Sequence, residues 1–223
     1  MKKIGVISTF LLAATAMTLA SCGGGQKQKA FVSFAIYGDN AAVFTKAYDG
    51  QPAAFAEGSV TTNSDGQLTF LWQQADKDEE GNDIMRNLES APVEPGNYFV
   101  EVSVPETAKF TAAKTGHDYQ ITKAALPEAW ITWGTLPEVL HFTQSGSGNN
   151  TRRTPNADEV AAIQAAVSVN DGNKAWVLGT DFNVDVAIAS GRNTPANGTI
   201  TVAPINNPYY NNFVRNIAIA LEA

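Results

Sequence analysis

Sulfur and imidazole are scarce in this chain, which has one cysteine, three methionines and two histidines. A single cysteine, Cys22, excludes a disulfide framework, a CxxC redox pair and a thiolate metal cage. His117 and His141, the two histidines, have no thiolate to join them, which argues against zinc. Charge is also sparse. Charged residues make up 17% of the chain, with 15 basic against 22 acidic side chains and a formal net charge of −7. Nucleic-acid backbones are held by clustered Lys and Arg, and the basic pair of note is Arg152-Arg153 in a polar stretch, so nucleic acid is not an expected partner. The glycine-rich pieces lack the strand, glycine loop and helix order that cradles phosphate. Beyond residue 20 no apolar run is long enough to span a bilayer.

The amino-terminal residues are unlike the rest. Lys2 and Lys3 precede a stretch from Ile4 to Ala20 that is apolar or small throughout, the layout of a secretory signal rather than of a folded element. It ends in Leu19-Ala20-Ser21-Cys22, which resembles the lipobox of bacterial lipoproteins, where the residue after the cleaved bond carries diacylglycerol on its thiol. The resemblance implies a signal peptide over 1–21 and a lipidated tether over 22–30 in which Cys22 is the modified residue. Two acyl chains hold a protein on a membrane without a transmembrane helix, since each buried methylene contributes about 0.8 kcal/mol. The membrane, reached through Cys22, is thus the first expected partner. The expected location is the cell envelope, at the outer membrane if the cell is Gram-negative, with the face left open. Gly23-Gly24-Gly25-Gln26-Lys27-Gln28-Lys29 reads as a flexible tether whose lysines suit anionic headgroups. Removal of Lys2 and Lys3 makes the mature chain still more acidic.

Strand signals dominate the remainder of the chain. Abundant Gly, Thr, Asn and Val suit an all-β extracytoplasmic protein, and the length suits two sandwich-sized units. Phe31 to Tyr37 reads as a first strand, broken by Gly38-Asp39-Asn40. Leu68, Phe70 and Trp72 alternate with Thr69, Leu71 and Gln73 after a turn at Ser64-Asp65-Gly66. Tyr98, Val100, Val102 and Val104 form an apolar row that Pro105 ends. His117 to Thr122 closes a first module over 31–124, and Lys123 to Pro127 links it to a second over 125–223 that opens at Trp130-Ile131-Thr132-Trp133. The stretch from Gln144 to Pro155 is expected to be a mobile loop that buries little. Asp158 to Ala166 has helical propensity with Asn156 placed to cap it, whereas a tandem repeat favours an extended edge there, so both remain open. Phe182, Val184, Val186 and Ile188 alternate, as does Phe213 to Leu221.

Gly96-Asn97 opens a strand in the first module and Gly198-Thr199 opens one in the second, and each precedes a break and a last alternating strand. Tyr48-Asp49-Gly50-Gln51-Pro52, Ala91-Pro92-Val93-Glu94-Pro95-Gly96-Asn97-Tyr98, Val100-Glu101-Val102 and Ile121-Thr122-Lys123-Ala124 resemble the bacterial immunoglobulin-like repeats of the MBG or YDG kind. Val169 to Lys174, Gly179 to Val184 and Gly198 to Val202 resemble a related repeat. Trp130 to Pro155 departs from it. The resemblance implies two tandem immunoglobulin-like β-sandwich modules in an adhesion, spacing or presentation setting, and it supplies no ligand. The runner-up architecture is β-grasp-like modules, which a helix over Asp158 to Ala166 packed on a sheet would favour.

Candidate chemistry is thin. Asp76, Asp78 and Glu80 fall at the first, third and fifth places of a calcium loop with Gly81 at the sixth, but the twelfth place, which needs a bidentate Glu, holds Asn87. A solvated hairpin tip is the better reading. His117 and Asp118 are strand neighbours that face opposite ways, and no triad suggests itself. Trp130, Trp133, Trp176, Tyr209 and Tyr210 are candidates for a platform that takes a glycan or protein ligand, against which stands packing in the core and at the module junction. No cofactor, metal site or catalytic residue is expected. The chain reads as a non-catalytic, lipid-anchored envelope protein that binds or presents a ligand, with a structural spacer or assembly subunit as the alternative and an envelope glycan hydrolase behind both. Cys22→Ser is expected to abolish incorporation of radiolabelled fatty acid into the protein in cells. A wild-type chain that takes up no label would mean an ordinary signal peptide followed by a free thiol, and label retained in the variant would move the acyl group to another residue.

Overall fold

The computed structural model describes residues 26–35, 44–193 and 195–222. The expected signal peptide, Cys22 and the turn at Gly38-Asp39-Asn40 lie outside the described residues. Strands hold 49% of the chain and helical turns 9%, so the fold is all-β. Among the described residues, seven strands form the first half: β1 (Val32–Phe34), β2 (Phe44–Ala47), β3 (Val60–Thr62), β4 (Thr69–Lys77), β5 (Asp83–Asn87), β6 (Gly96–Val104) and β7 (Ala113–Thr122). The second half holds β8 (Ala124–Ala125), β9 (Ile131–Trp133), β10 (Val139–Ser145), β11 (Arg152–Pro155), the helix α1 (Ala157–Ala166), β12 (Val167–Val169), β13 (Phe182–Ala187), β14 (Asn197–Pro204), β15 (Tyr210–Asn211) and β16 (Phe213–Leu221).

Both halves follow one plan. In the first, the sheet order is β2-β7-β6-β4-β5, with β2 parallel to β7 and the other pairs antiparallel. In the second it is β11-β10-β16-β14-β13, with β10 parallel to β16 and the other pairs antiparallel. Each half adds a separate antiparallel ribbon, β1 with β3 and β9 with β12. The fifth strand of each sheet is the part that differs: β5 lies beyond β4 at one edge, whereas β11 lies beyond β10 at the other. The two glycine-opened strands take the same place, since Gly96 stands opposite Ile121 of the last strand and Gly198 stands opposite Ile217.

Alternation explains the burial. Tyr98, Val100, Val102 and Val104 are all buried on β6, as are Ile200 and Val202 on β14 and Phe182 and Val184 on β13. The apolar rows make two separate cores, one around Trp72, Tyr98, Val100, Val102, Tyr119 and Ile121, the other around Leu140, Phe142, Ile163, Phe182, Ile200 and Val202. Tyr98 folds back over the start of its own strand, and its hydroxyl donates to the Glu94 carbonyl at 2.7 Å. A Cβ on Gly96 would lie 3.1 Å from that hydroxyl, so the smallest residue is the one that leaves room for the ring.

Two stretches differ from the sequence reading or settle what it left open. Asp158 to Ala166 is helical, and Asn156 caps it by accepting from the Asp158 and Glu159 amides. Ile163 is its one fully buried residue and joins the second core, which meets part of the condition for a grasp-like module in this half. The stretch from Gln144 to Pro155 is not a free loop. Its last residues form β11, paired to β10, and Thr151 and Arg153 are buried at 6% and 5% exposure. Main-chain pairing at a sheet edge needs no apolar row, which is why composition misjudged it. Ile163→Ala is expected to destabilise the second half by about 2–5 kcal/mol, and Tyr98→Phe the first by about 1 kcal/mol, in urea unfolding followed by fluorescence. Equal effects below measurement for both would contradict the two cores.

Candidate functional site

The five aromatic candidates do not form one platform. Four of them, Trp130, Trp133, Trp176 and Tyr210, are partly buried against the second core. The expected strand over Trp130 to Trp133 begins one residue later: Trp130 ends a 3-10 turn over Glu128–Trp130 and Trp133 ends β9, so the two rings serve different places for that reason and not through strand alternation. Trp133 packs near Phe213 with ring centroids 6.1 Å apart, and the Arg215 guanidinium lies 4.8 Å above its ring. This is a cation–π contact on the last sheet strand.

Trp130, Trp176, Tyr209 and Tyr210 belong instead to a chain of rings at the meeting of the two halves. Trp130 lies 6.2 Å from Trp176 and 4.9 Å from Tyr210, both edge-on. Tyr48 of the first half completes the chain, stacked on Tyr209 at 4.8 Å and edge-on to Tyr210 at 5.8 Å. Offset and edge-to-face pairs of this kind contribute about 0.5–1.5 kcal/mol each beyond their burial. The backbone reinforces them: β8 pairs in parallel with β15, and the Ala124 amide donates to the Tyr209 carbonyl at 2.9 Å. Lys123 Nζ donates to the Asn207 carbonyl at 2.8 Å, and Asn211 Nδ2 returns a bond to the Lys123 carbonyl.

Local sequence places each ring. In Tyr48-Asp49-Gly50-Gln51-Pro52 the Asp49 carboxylate accepts the Gln51 amide, and Lys46 pairs with Asp49 while donating to the Gln51 and Pro52 carbonyls. The Lys46 contact holds the Asp49 carboxyl below its ordinary range, and Gly50 takes the positive φ of 73° that closes the turn. Asp171 accepts the Asn173 and Lys174 amides and then the Trp176 indole N–H at 3.1 Å, which depresses its carboxyl and orients the ring. A hydrogen bond to Glu94 pushes the Tyr209 phenol up, whereas burial does so for Tyr210. Beside this chain a groove of about 570 Å³ runs along the junction, edged by Asn97, Gln120, Lys123 and Asn211.

The histidines separate. His117 Nδ1 lies 2.9 Å from the Asp118 carbonyl, and its ring packs edge-on to Phe34 and Phe44, inside an aromatic cluster. His141 meets an acid that sequence did not suggest. Its Nδ1 lies 2.6 Å from Glu159 Oε1, and its amide donates to Glu159 Oε2 at 2.6 Å. Glu159 is the third residue of α1, where a cap glutamate ordinarily turns back to its own helix, and that spacing from Asn156 was the available signal. Here the carboxylate fastens the helix to β10, with both oxygens engaged. The Asp76 to Asp83 stretch is the β4–β5 hairpin tip, where Asp78 accepts from the Glu80 and Asn82 amides. Among the described residues, no three His, Cys, Asp or Glu side chains converge as a metal set.

No family model, no curated protein and no solved structure matches the chain.

The Glu159 carboxyl is held below its ordinary range first by the His141 amide and then, against some desolvation, by the His141 ring. A depressed folded value means that the stabilisation is fully present above the ordinary glutamate pKa and is lost as pH falls through the lowered one. Acid is therefore expected to loosen α1 in the window below the ordinary glutamate value, and Glu159→Gln is expected to flatten that acid limb. Hydrogen exchange of the α1 amides across that window is the measurement, and an identical acid limb in the variant would remove Glu159 from the account.

Proposed function

We propose that the chain is a lipid-anchored, non-catalytic cell-envelope protein whose two immunoglobulin-like modules present a ligand-binding end away from the membrane. The observation that carries this reading is the end-to-end repetition of one strand plan joined by a built junction. An early strand parallel to the last, followed inward by antiparallel neighbours, is common to both halves. Immunoglobulin-like sandwiches carry a buried Trp on the third strand of the meander and a tyrosine near the start of the penultimate strand whose hydroxyl bonds back to the chain. Trp72 is buried on β4, the fourth strand, and Tyr98 lies near the start of β6, the penultimate strand of the first half, where its hydroxyl donates back to the Glu94 carbonyl as that tyrosine does. The grasp-like alternative draws on α1 alone. The first half reaches the same order of four strands with no α-helix among its described residues, so α1 and β11 read as an insertion into the shared plan.

A spacer or assembly subunit is the second reading, and the aromatic chain favours it. Rings that pack on one another across the junction stiffen the molecule and leave fewer faces for a sugar. The two readings part on binding. The non-lipidated mature chain carrying Cys22→Ser is expected to bind one class of glycan or matrix protein saturably on arrays, with the outer loops and the Trp133–Arg215 surface available to it. Loss of that binding in Trp133→Ala would assign it to the cation–π surface. Absence of binding to any arrayed molecule would favour the spacer. Turnover of an envelope glycan by the purified chain, lost in Glu159→Gln, would overturn the non-catalytic reading altogether.

A further inference from the structure

The amino-terminal residues meet the first half at a definite place. Gln28 bridges in parallel to Phe110, its amide donates to the Lys109 carbonyl at 2.7 Å, and the Thr111 amide donates to its carbonyl at 2.9 Å. Lys27 pairs with Glu106. Asn63 Oδ1 accepts the Phe31 amide and Asn63 Nδ2 donates to the Lys29 carbonyl. A Cβ on Gly66 would lie 3.2 Å from Pro105, so the turn at 63–68 and the β6–β7 connection pack together. Residues 26–31, 63–68 and 105–112 therefore form one end of the first half. The second half leaves from the other end, where β7 finishes and β8 begins. At about 3.3 Å per residue, β7 puts about 30 Å between them. The loops after β10 and β13, joined by the Gly191 amide and the Thr151 carbonyl, lie at the end of the second sheet opposite the one where β16 begins.

From these positions we infer that the 26–31, 63–68 and 105–112 end is a bilayer-docking surface, with anionic headgroups as its partner. The inference rests on lipidation of Cys22. An extended chain covers about 3.5 Å per residue, which keeps Gln28 within about 20 Å of an acylated Cys22. The end it reaches is suited to a bilayer. Phe31 is 50% exposed there, Lys29 and Lys109 are exposed beside it, and lysines near a membrane surface are attracted to acidic lipid. Across these three stretches Lys27, Lys29 and Lys109 stand against Asp65 and Glu106, a small positive excess on a chain whose net charge is −7, and with Lys27 paired to Glu106 it is Lys29 and Lys109 that face outward. Loops 145–151 and 188–193, at the end of the second sheet away from the junction, are then held off the membrane.

Acylation consumes the thiol of Cys22, so an added cysteine is the one that takes a probe. Ala108→Cys and Asn149→Cys, both at exposed positions, are labelled with an environment-sensitive fluorophore in the full acylated chain. Each is reconstituted into vesicles of phosphatidylethanolamine and phosphatidylglycerol that carry a headgroup-level quencher. Intact-protein mass spectrometry checks the acyl group, and circular dichroism checks the fold. The Ala108 probe is expected to be quenched at least about threefold more than the Asn149 probe, and Lys29→Glu with Lys109→Glu is expected to reduce that difference. Equal quenching in an acylated protein, or a difference unmoved by charge reversal, overturns the docking surface while the anchor reading stands. A chain without acyl groups overturns both.

Discussion

Each half is closed by one long-range contact, the parallel pairing of an early strand with the last. Phe44–Ala47 runs beside Tyr119–Thr122, and Val139–Phe142 beside Ala218–Leu221. Closing a chain segment of this length costs entropy that grows only slowly with its size, but neighbouring residues cannot supply it. The apolar rows of β6 and β14 do, because each lies next to the last strand and buries its inner face in the same core. With β7 held on both sides, by β2 and by β6, its carboxyl end has one direction in which to leave. That direction decides where the second half begins.

The junction follows from that exit. Thr122 accepts the Tyr48 amide, and β8 pairs with β15 directly after it. Tyr48, Tyr209 and Tyr210 are brought together by pairing on both sides, and their rings remove apolar area from water while the Tyr209 hydroxyl keeps a partner in Glu94. Residues of the same type at a free surface would suit a sugar ring. Here they serve mainly to hold one half against the other.

The helix α1 shows how a local preference is made useful. Asn156, Asp158 and Glu159 favour a helix start in any context. What the fold adds is His141 on β10, whose amide and ring take both oxygens of Glu159. A cap that would have stabilised only its own helix becomes a tie between helix and sheet. Its strength depends on the ionisation of one carboxylate.

The amino-acid order by itself determined the strands whose apolar residues alternate, the buried row from Tyr98 to Val104, the hairpin tip at Asp78 and the similarity of the two glycine-opened strands. Those features are local, since a period of two or a turn residue acts within its own segment. Tertiary structure decided the rest. β11 carries no apolar row and exists because β10 offers it an unpaired edge. Asp158 to Ala166 stood between two readings until a core took Ile163. Trp130 and Trp176 became junction rings, Trp133 met Arg215, and Glu159 met His141, because partners distant in sequence arrived through strand pairing. A residue's type states what it is able to bind, whereas its neighbour across a sheet or a junction depends on register and topology, which no single segment encodes.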